Sequence, residues 1–264
     1  MYLDYEKNQI KFLIDACHMD NSLLANGNSY EKKIYNCISQ FDKLVNNSGH
    51  NALPPDFYSD DINIMFDLYR VNDSEKRKNY NPTAIAERKM AHEIRESQFG
   101  KTFPDLVDNM ICIDKDWGSD EFHNINNYIN NIKRVTQKHL SSNGHPNKIQ
   151  DIWMHEHPNI TRKGLVVYDE TENYFQGSCK PNLLGGWIFT WDKKEVIFYE
   201  PWMDKDVLRP IYESSCDFLI WFMPYKHGDF TRKIGTYFPE IVIIDTRFPR
   251  RNLIEYDYSK FTRA

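Results

Sequence analysis

The sequence is poor in several features that would assign it quickly. It has five cysteines, Cys17, Cys37, Cys112, Cys179 and Cys216, an odd number with no C-x-x-C spacing. That argues against a disulfide framework and a zinc ribbon, and it fits a reducing, cytoplasmic setting. Long apolar runs are missing: those near 218–223 and 241–244 fall well short of the roughly 20 residues a membrane helix needs, so no membrane partner is expected. The opening Met-Tyr-Leu-Asp-Tyr-Glu-Lys carries charge where a secretory signal carries an apolar stretch. Basic charge is not in excess either. With 33 Lys and Arg against 38 Asp and Glu, the net charge is −5, so the basic footprint of a protein that grips nucleic acid by its backbone is absent overall. A local basic groove stays compatible with that average. There is no G-x-x-x-x-G-K-[ST], G-x-G-x-x-G, H-E-x-x-H or G-x-S-x-G. P-loop hydrolysis, Rossmann cofactor use, zincin proteolysis and α/β-hydrolase chemistry all lose weight accordingly.

What is present describes a folded chain. Aromatic residues make up 14% and charged residues 27%, a balance that supports a core without help from a partner. The length of 264 residues suits one domain over 1–264, with the polar stretch 141–147 as the one plausible boundary. Asn, Lys, Ile and Tyr are frequent, as expected of an AT-rich coding sequence.

Periodicity predicts helices mostly in the first half and strands mostly in the second. Helices are expected over 3–19, then from an N-cap at Ser29 along the stripe Ile34, Ile38, Phe41 and Val45, then over 81–97 and 121–140. A strand is expected over 62–71 after the stop at Pro54-Pro55, and a short one over 109–113. Further strands are expected over 164–168, 186–191, 196–199, 217–222 and 240–244, while Pro210 limits any helix after Trp202 to a few residues. Several strands are nearly continuous in apolar residues, which means burial on both faces. The fold class is therefore α/β, with α+β as the variant: a mixed central sheet flanked by helices.

The densest chemistry lies in Pro55-Asp56-Phe57-Tyr58-Ser59-Asp60-Asp61 and in the following strand, which carries Asp67 and Arg70. Carboxylates that converge hold a hard divalent cation, which activates water and polarises a phosphate; a neighbouring base offsets the developing charge. Asp56, Asp60 and Asp67 are the candidate metal ligands. The alternative reading is a proline-terminated loop whose Asp56, Ser59 and Asp60 cap turns.

The order of a helix carrying Glu31, then Pro55-Asp56, then a strand with Asp67, then a long helix and another strand, resembles the PD-(D/E)xK nuclease superfamily over about half the chain. The resemblance implies a metal-dependent nuclease or phosphodiesterase, a hydrolase using Mg²⁺ or Mn²⁺ on nucleic acid. Asp56, Asp67, Arg70 and Glu31 would be its catalytic residues. The lysine expected two residues after the second acid is Tyr69 here, and Arg70, one further on, leaves the opposite face of an extended strand. The competing expectation is a non-enzymatic, protein-binding inhibitor or immunity-type protein, of the kind a phage or mobile element carries.

Other candidates are weaker in pattern. His145, His155, Glu156 and His157 offer metal-binding donors between prolines and also read as loop residues. Asp169-Glu170 and Asp245 end strands, where acids either enter a crevice or start a turn. Trp187, Trp191, Tyr199, Trp202, Trp221 and Phe222 fit base or sugar stacking, or core packing. Arg247, Arg250, Arg251, Lys260 and Arg263 form a C-terminal basic cluster that suits phosphate or a solvated edge.

Overall fold

The computed structural model describes residues 2–17, 22–47, 55–73, 124–141, 149–171, 173–176, 179–183, 187–191, 197–224, 239–249 and 252–263. In chain order the elements are α1 (Tyr2–Ala16), β1 (Ser22–Leu24), α2 (Ser29–Ile38), β2 (Val45–Asn46), β3 (Phe57–Ser59), β4 (Ile64–Val71) and α3 (Ile125–Leu140). Then follow β5 (Lys163–Asp169), β6 (Tyr174–Gln176), β7 (Cys179–Leu183), β8 (Trp187–Trp191), β9 (Ile197–Phe198), α4 (Lys205–Tyr212), β10 (Phe218–Phe222), β11 (Ile241–Asp245) and β12 (Thr262–Arg263). The expected helix over 81–97 and strand over 109–113 lie outside the described residues.

The centre is a mixed seven-stranded sheet in the order β1-β11-β10-β5-β4-β3-β2. β4, β5 and β10 run parallel, whereas β3 returns antiparallel beside β4 and β11 antiparallel beside β10. Each strand sorts its side chains by the two-residue period into two cores. Met65, Tyr69, Val71, Leu165, Val167, Leu219, Trp221, Val242 and Ile244 pack on one face with α3 and α4. Ile64, Phe66, Leu68, Val166, Tyr168, Phe218, Ile220, Ile241 and Ile243 pack on the other with α1 and α2. The continuous apolar runs of β5, β10 and β11 follow directly from this double burial.

Gly164 makes one close approach possible. It pairs with Phe218 across β5 and β10, and a Cβ there would lie 2.3 Å from the Phe218 ring.

Two helix boundaries differ from expectation for physical reasons. The cap of α2 is Asn28, whose side chain accepts from Tyr30 N–H and Glu31 N–H, because Gly27 takes a positive φ of 64° and turns the chain one residue earlier. The helix stops at Ile38; a 3₁₀ turn over Phe41–Lys43 keeps Phe41 in the core, and Val45, 48% exposed, is in edge strand β2. Pro210 is accommodated inside α4, whose N-cap is Asp204. The amide it lacks would have met the carbonyl of Asp206, an exposed residue in the first turn. Among the described residues no helix is long and apolar enough to cross a membrane.

Candidate metal centre

The site is built on the β3–β4 pair and closed by α3. Phe57 pairs with Phe66, so Asp56, one residue earlier, faces Asp67 across the two strands. Backbone and side chains interlock there. Asp56 N–H donates to Asp67 Oδ1 at 3.1 Å, and Leu68 N–H donates to Asp56 Oδ2 at 3.0 Å. Both carboxylates are thereby fixed on the face that carries α3. Asp67 is 1% exposed, a placement a carboxylate tolerates only with hydrogen-bonding partners.

The third member comes from the last turn of α3. His139 Nδ1 lies 2.9 Å from Asp67 Oδ2. The imidazole stacks on Tyr69, with ring centroids 4.8 Å apart and planes at 18°, and the Tyr69 hydroxyl lies 2.8 Å from Thr136 Oγ1. Burial pushes the Tyr69 phenol well above its ordinary pKa, against the lowering effect of the Thr136 hydrogen bond, so it stays neutral.

Asp56, Asp67 and His139 each offer a ligand atom, and these atoms all lie within 4.8 Å of one another. Two carboxylates and one imidazole form a donor set suited to a divalent cation, so these residues fit a metal. No protein-family model, curated protein or solved structure matches the chain.

The other residues singled out in the sequence go elsewhere. Asp60 is exposed, four residues beyond Asp56 along a chain that stays extended through β3, which places it roughly 13 Å on. Arg70 leaves the opposite face of β4 from Asp67 and pairs with Glu170 at 3.3 Å. Glu31 is fully buried at the far end of the sheet, where it accepts from Asn26 N–H at 3.0 and 2.9 Å and from Asp245 N–H at 2.9 Å. Two strands, β10 and β5, separate β11 from β4, so Glu31 anchors a loop about 14 Å from the acidic pair and on the other face. The structure thus brings together Asp56 and Asp67 but not Asp60, Arg70 or Glu31.

The remaining candidates have structural partners. Asp169 is buried and accepts from the Tyr128 hydroxyl, from Trp221 Nε1 at 2.9 Å and from Thr171 N–H and Oγ1 at 3.0 and 2.6 Å. Asp245 pairs with Arg247 at 2.8 Å, and Arg247 lies 3.6 Å over the Tyr30 ring. Lys260 pairs with Asp257 at 3.2 Å. Tyr199, Trp202, Trp221 and Phe222 are core. His155 and His157 sit at a short helix: His155 is exposed and lies 3.6 Å from Glu156, while His157 lies against Tyr58 with centroids 4.1 Å apart. His145, Arg250 and Arg251 lie outside the described residues, as do the side chains of Trp187, Trp191 and Arg263.

His139 is the functional candidate that motif reading does not find. Its signal is present: the stripe Ile125, Ile129, Ile132 and Val135 reaches position 139 at its next step of four, and a histidine stands there in place of an apolar residue.

Proposed function

We propose that the chain is a divalent-metal-dependent phosphodiesterase acting on nucleic acid, with Asp56, Asp67 and His139 holding the metal. The observation that carries this reading is the convergence of three ligand atoms within 4.8 Å on a rigid strand pair and helix. The succession α2, antiparallel β3 and β4, α3, then β5 parallel to β4 also supports the resemblance to the PD-(D/E)xK nucleases. A bound divalent cation supplies an activated water and polarises the scissile phosphate.

The chain's own part is to hold and orient. The two strands lock Asp56 and Asp67 through reciprocal backbone bonds, so no side chain has to be ordered when ligand arrives. Tyr69, tied to Thr136, holds the plane of the His139 ring beside Asp67. Arg70, on the far face, is assigned no role in offsetting phosphate charge. Cys17, Cys37 and Cys216 are free thiols, and we place the protein in the cytoplasm.

The second reading, a protein-binding inhibitor, rests on the acidic balance of −5 and on exposed apolar side chains, with Phe248 66% and Phe12 56% exposed. One experiment separates the two. The purified chain is incubated with Mn²⁺ or Mg²⁺ and single- or double-stranded DNA and RNA. Metal-dependent cleavage that disappears in Asp67→Asn supports the enzyme; absence of cleavage of every substrate overturns it.

A further inference from the structure

We propose that Tyr69 is a positioning residue: by clamping the His139 imidazole beside Asp56 and Asp67, it gives the site a preference for Mn²⁺ over Mg²⁺. This rests on the metal-dependent reading and deepens it by naming the metal and what selects it. Tyr69 follows Asp67 by two residues on β4, so both side chains leave the same face. Its ring covers one face of the imidazole at 4.8 Å, nearly parallel. Its hydroxyl is tied to Thr136 at 2.8 Å, one helical turn before His139. Tyr69 is 4% and Thr136 1% exposed, so the clamp is inside the protein and not on a mobile surface.

The physical effect is on rotation. The terminal torsion of a histidine is broad and roughly two-fold, so a free ring presents its nitrogens in many directions. Here Tyr69, itself tied to Thr136, holds the ring plane and fixes one orientation of the imidazole beside Asp67. A fixed nitrogen donor discriminates between metals. Mg²⁺ demands near-ideal octahedral oxygen coordination and gives up water reluctantly. Mn²⁺ takes carboxylates equally well, and as a first-row transition metal it accepts imidazole too. Were the imidazole free to turn away, the two carboxylates would remain for either ion and the discrimination would fall.

The test is calorimetric titration of Mn²⁺ and, separately, Mg²⁺ into the full chain and into Tyr69→Leu, Tyr69→Phe and Thr136→Val. The expected result is at least about tenfold tighter Mn²⁺ than Mg²⁺ in the unsubstituted chain, with a loss of about tenfold in Mn²⁺ affinity in Tyr69→Leu and Mg²⁺ affinity held within about twofold. Thr136→Val and Tyr69→Phe, which keep the packing, should lose Mn²⁺ affinity to a smaller degree; they decide the matter by the same ratio if Tyr69→Leu does not fold. Equal affinities for the two ions in the unsubstituted chain overturn the inference, and so does a parallel fall for both ions in the variants. If the unsubstituted chain binds neither ion, the metal-dependent reading falls, and this inference with it.

Discussion

Asp56 and Asp67 hold each other's strand: the Asp56 amide donates to the Asp67 carboxylate at 3.1 Å, and the amide that follows Asp67 donates to the Asp56 carboxylate at 3.0 Å. A pair of acids used this way has a structural duty whether or not a metal is bound, so substitutions must separate charge from shape. Asp67→Asn keeps an acceptor for the Asp56 amide and should unfold within about 0.5 kcal/mol of the original while losing metal-dependent activity. Asp67→Ala orphans the Asp56 amide and the His139 nitrogen and should cost about 1–3 kcal/mol, read from urea denaturation.

Glu31 and Arg70 should behave in the opposite way. Glu31→Ala leaves the amides of Asn26 and Asp245 without their acceptor, a loss of about 1–3 kcal/mol for the buried Asp245 amide and less for that of the exposed Asn26. The folded fraction should nonetheless bind metal and cleave as before. Arg70→Ala removes the partner of Glu170, whose side chain is only 8% exposed, so stability should fall while turnover of the folded protein is unchanged. Loss of cleavage in a well-folded Glu31→Gln protein would instead put that residue at the reacting centre.

Acid should weaken the end of β11 in a defined direction. Burial pushes the Asp245 carboxyl upward, but the hydrogen bonds and charge of Arg247, with help from Asn28, outweigh it and hold it below the usual carboxylate range. A folded-state pKa below the unfolded one gives stability that is complete above the unfolded value and lost as pH falls through the folded one. The stability difference between the original chain and Arg247→Ala should therefore be largest near pH 7 and shrink as pH falls below about 4, the ordinary carboxylate pKa. Urea midpoints measured across that range check it.

The Cys216 thiol is buried and pushed up to about 12 by that burial. It should remain unalkylated by iodoacetamide at neutral pH in the folded protein and react once the chain is unfolded, as peptide mass spectrometry would show.

Gly164→Ala should destabilise by about 1–3 kcal/mol through overpacking, because the new methyl would meet the Phe218 ring at 2.3 Å. Phe218→Leu in the same chain should return part of that loss, which denaturation of the double variant measures.

Much of the scaffold was legible because it depends on local patterns. The apolar runs at 62–71, 164–168, 217–222 and 240–244 became strands buried on both faces, and the stripe beginning at Ile125 became α3. Where tertiary contacts decide, the pattern misleads. The stripe Ile34, Ile38, Phe41 and Val45 continues smoothly in sequence, yet a 3₁₀ turn serves Phe41 and β2 takes Val45, since the edge of the sheet needs a strand there. The site was half legible. Asp56 and Asp67 lie eleven residues apart and meet through a register that β3 and β4 set. His139 is 72 residues beyond Asp67, and only the placement of α3 across β4 joins them. Asp60 and Glu31 looked equivalent to these acids in sequence; extension of the chain and the opposite face of the sheet keep them apart.

The most direct measurement is electron paramagnetic resonance of Mn²⁺ titrated into the purified full chain. The account predicts one bound ion per chain, with binding abolished or greatly weakened in Asp67→Asn and in His139→Ala, both retaining the original circular dichroism. No bound Mn²⁺ in the unsubstituted protein, or binding unchanged when His139 is replaced, would contradict it.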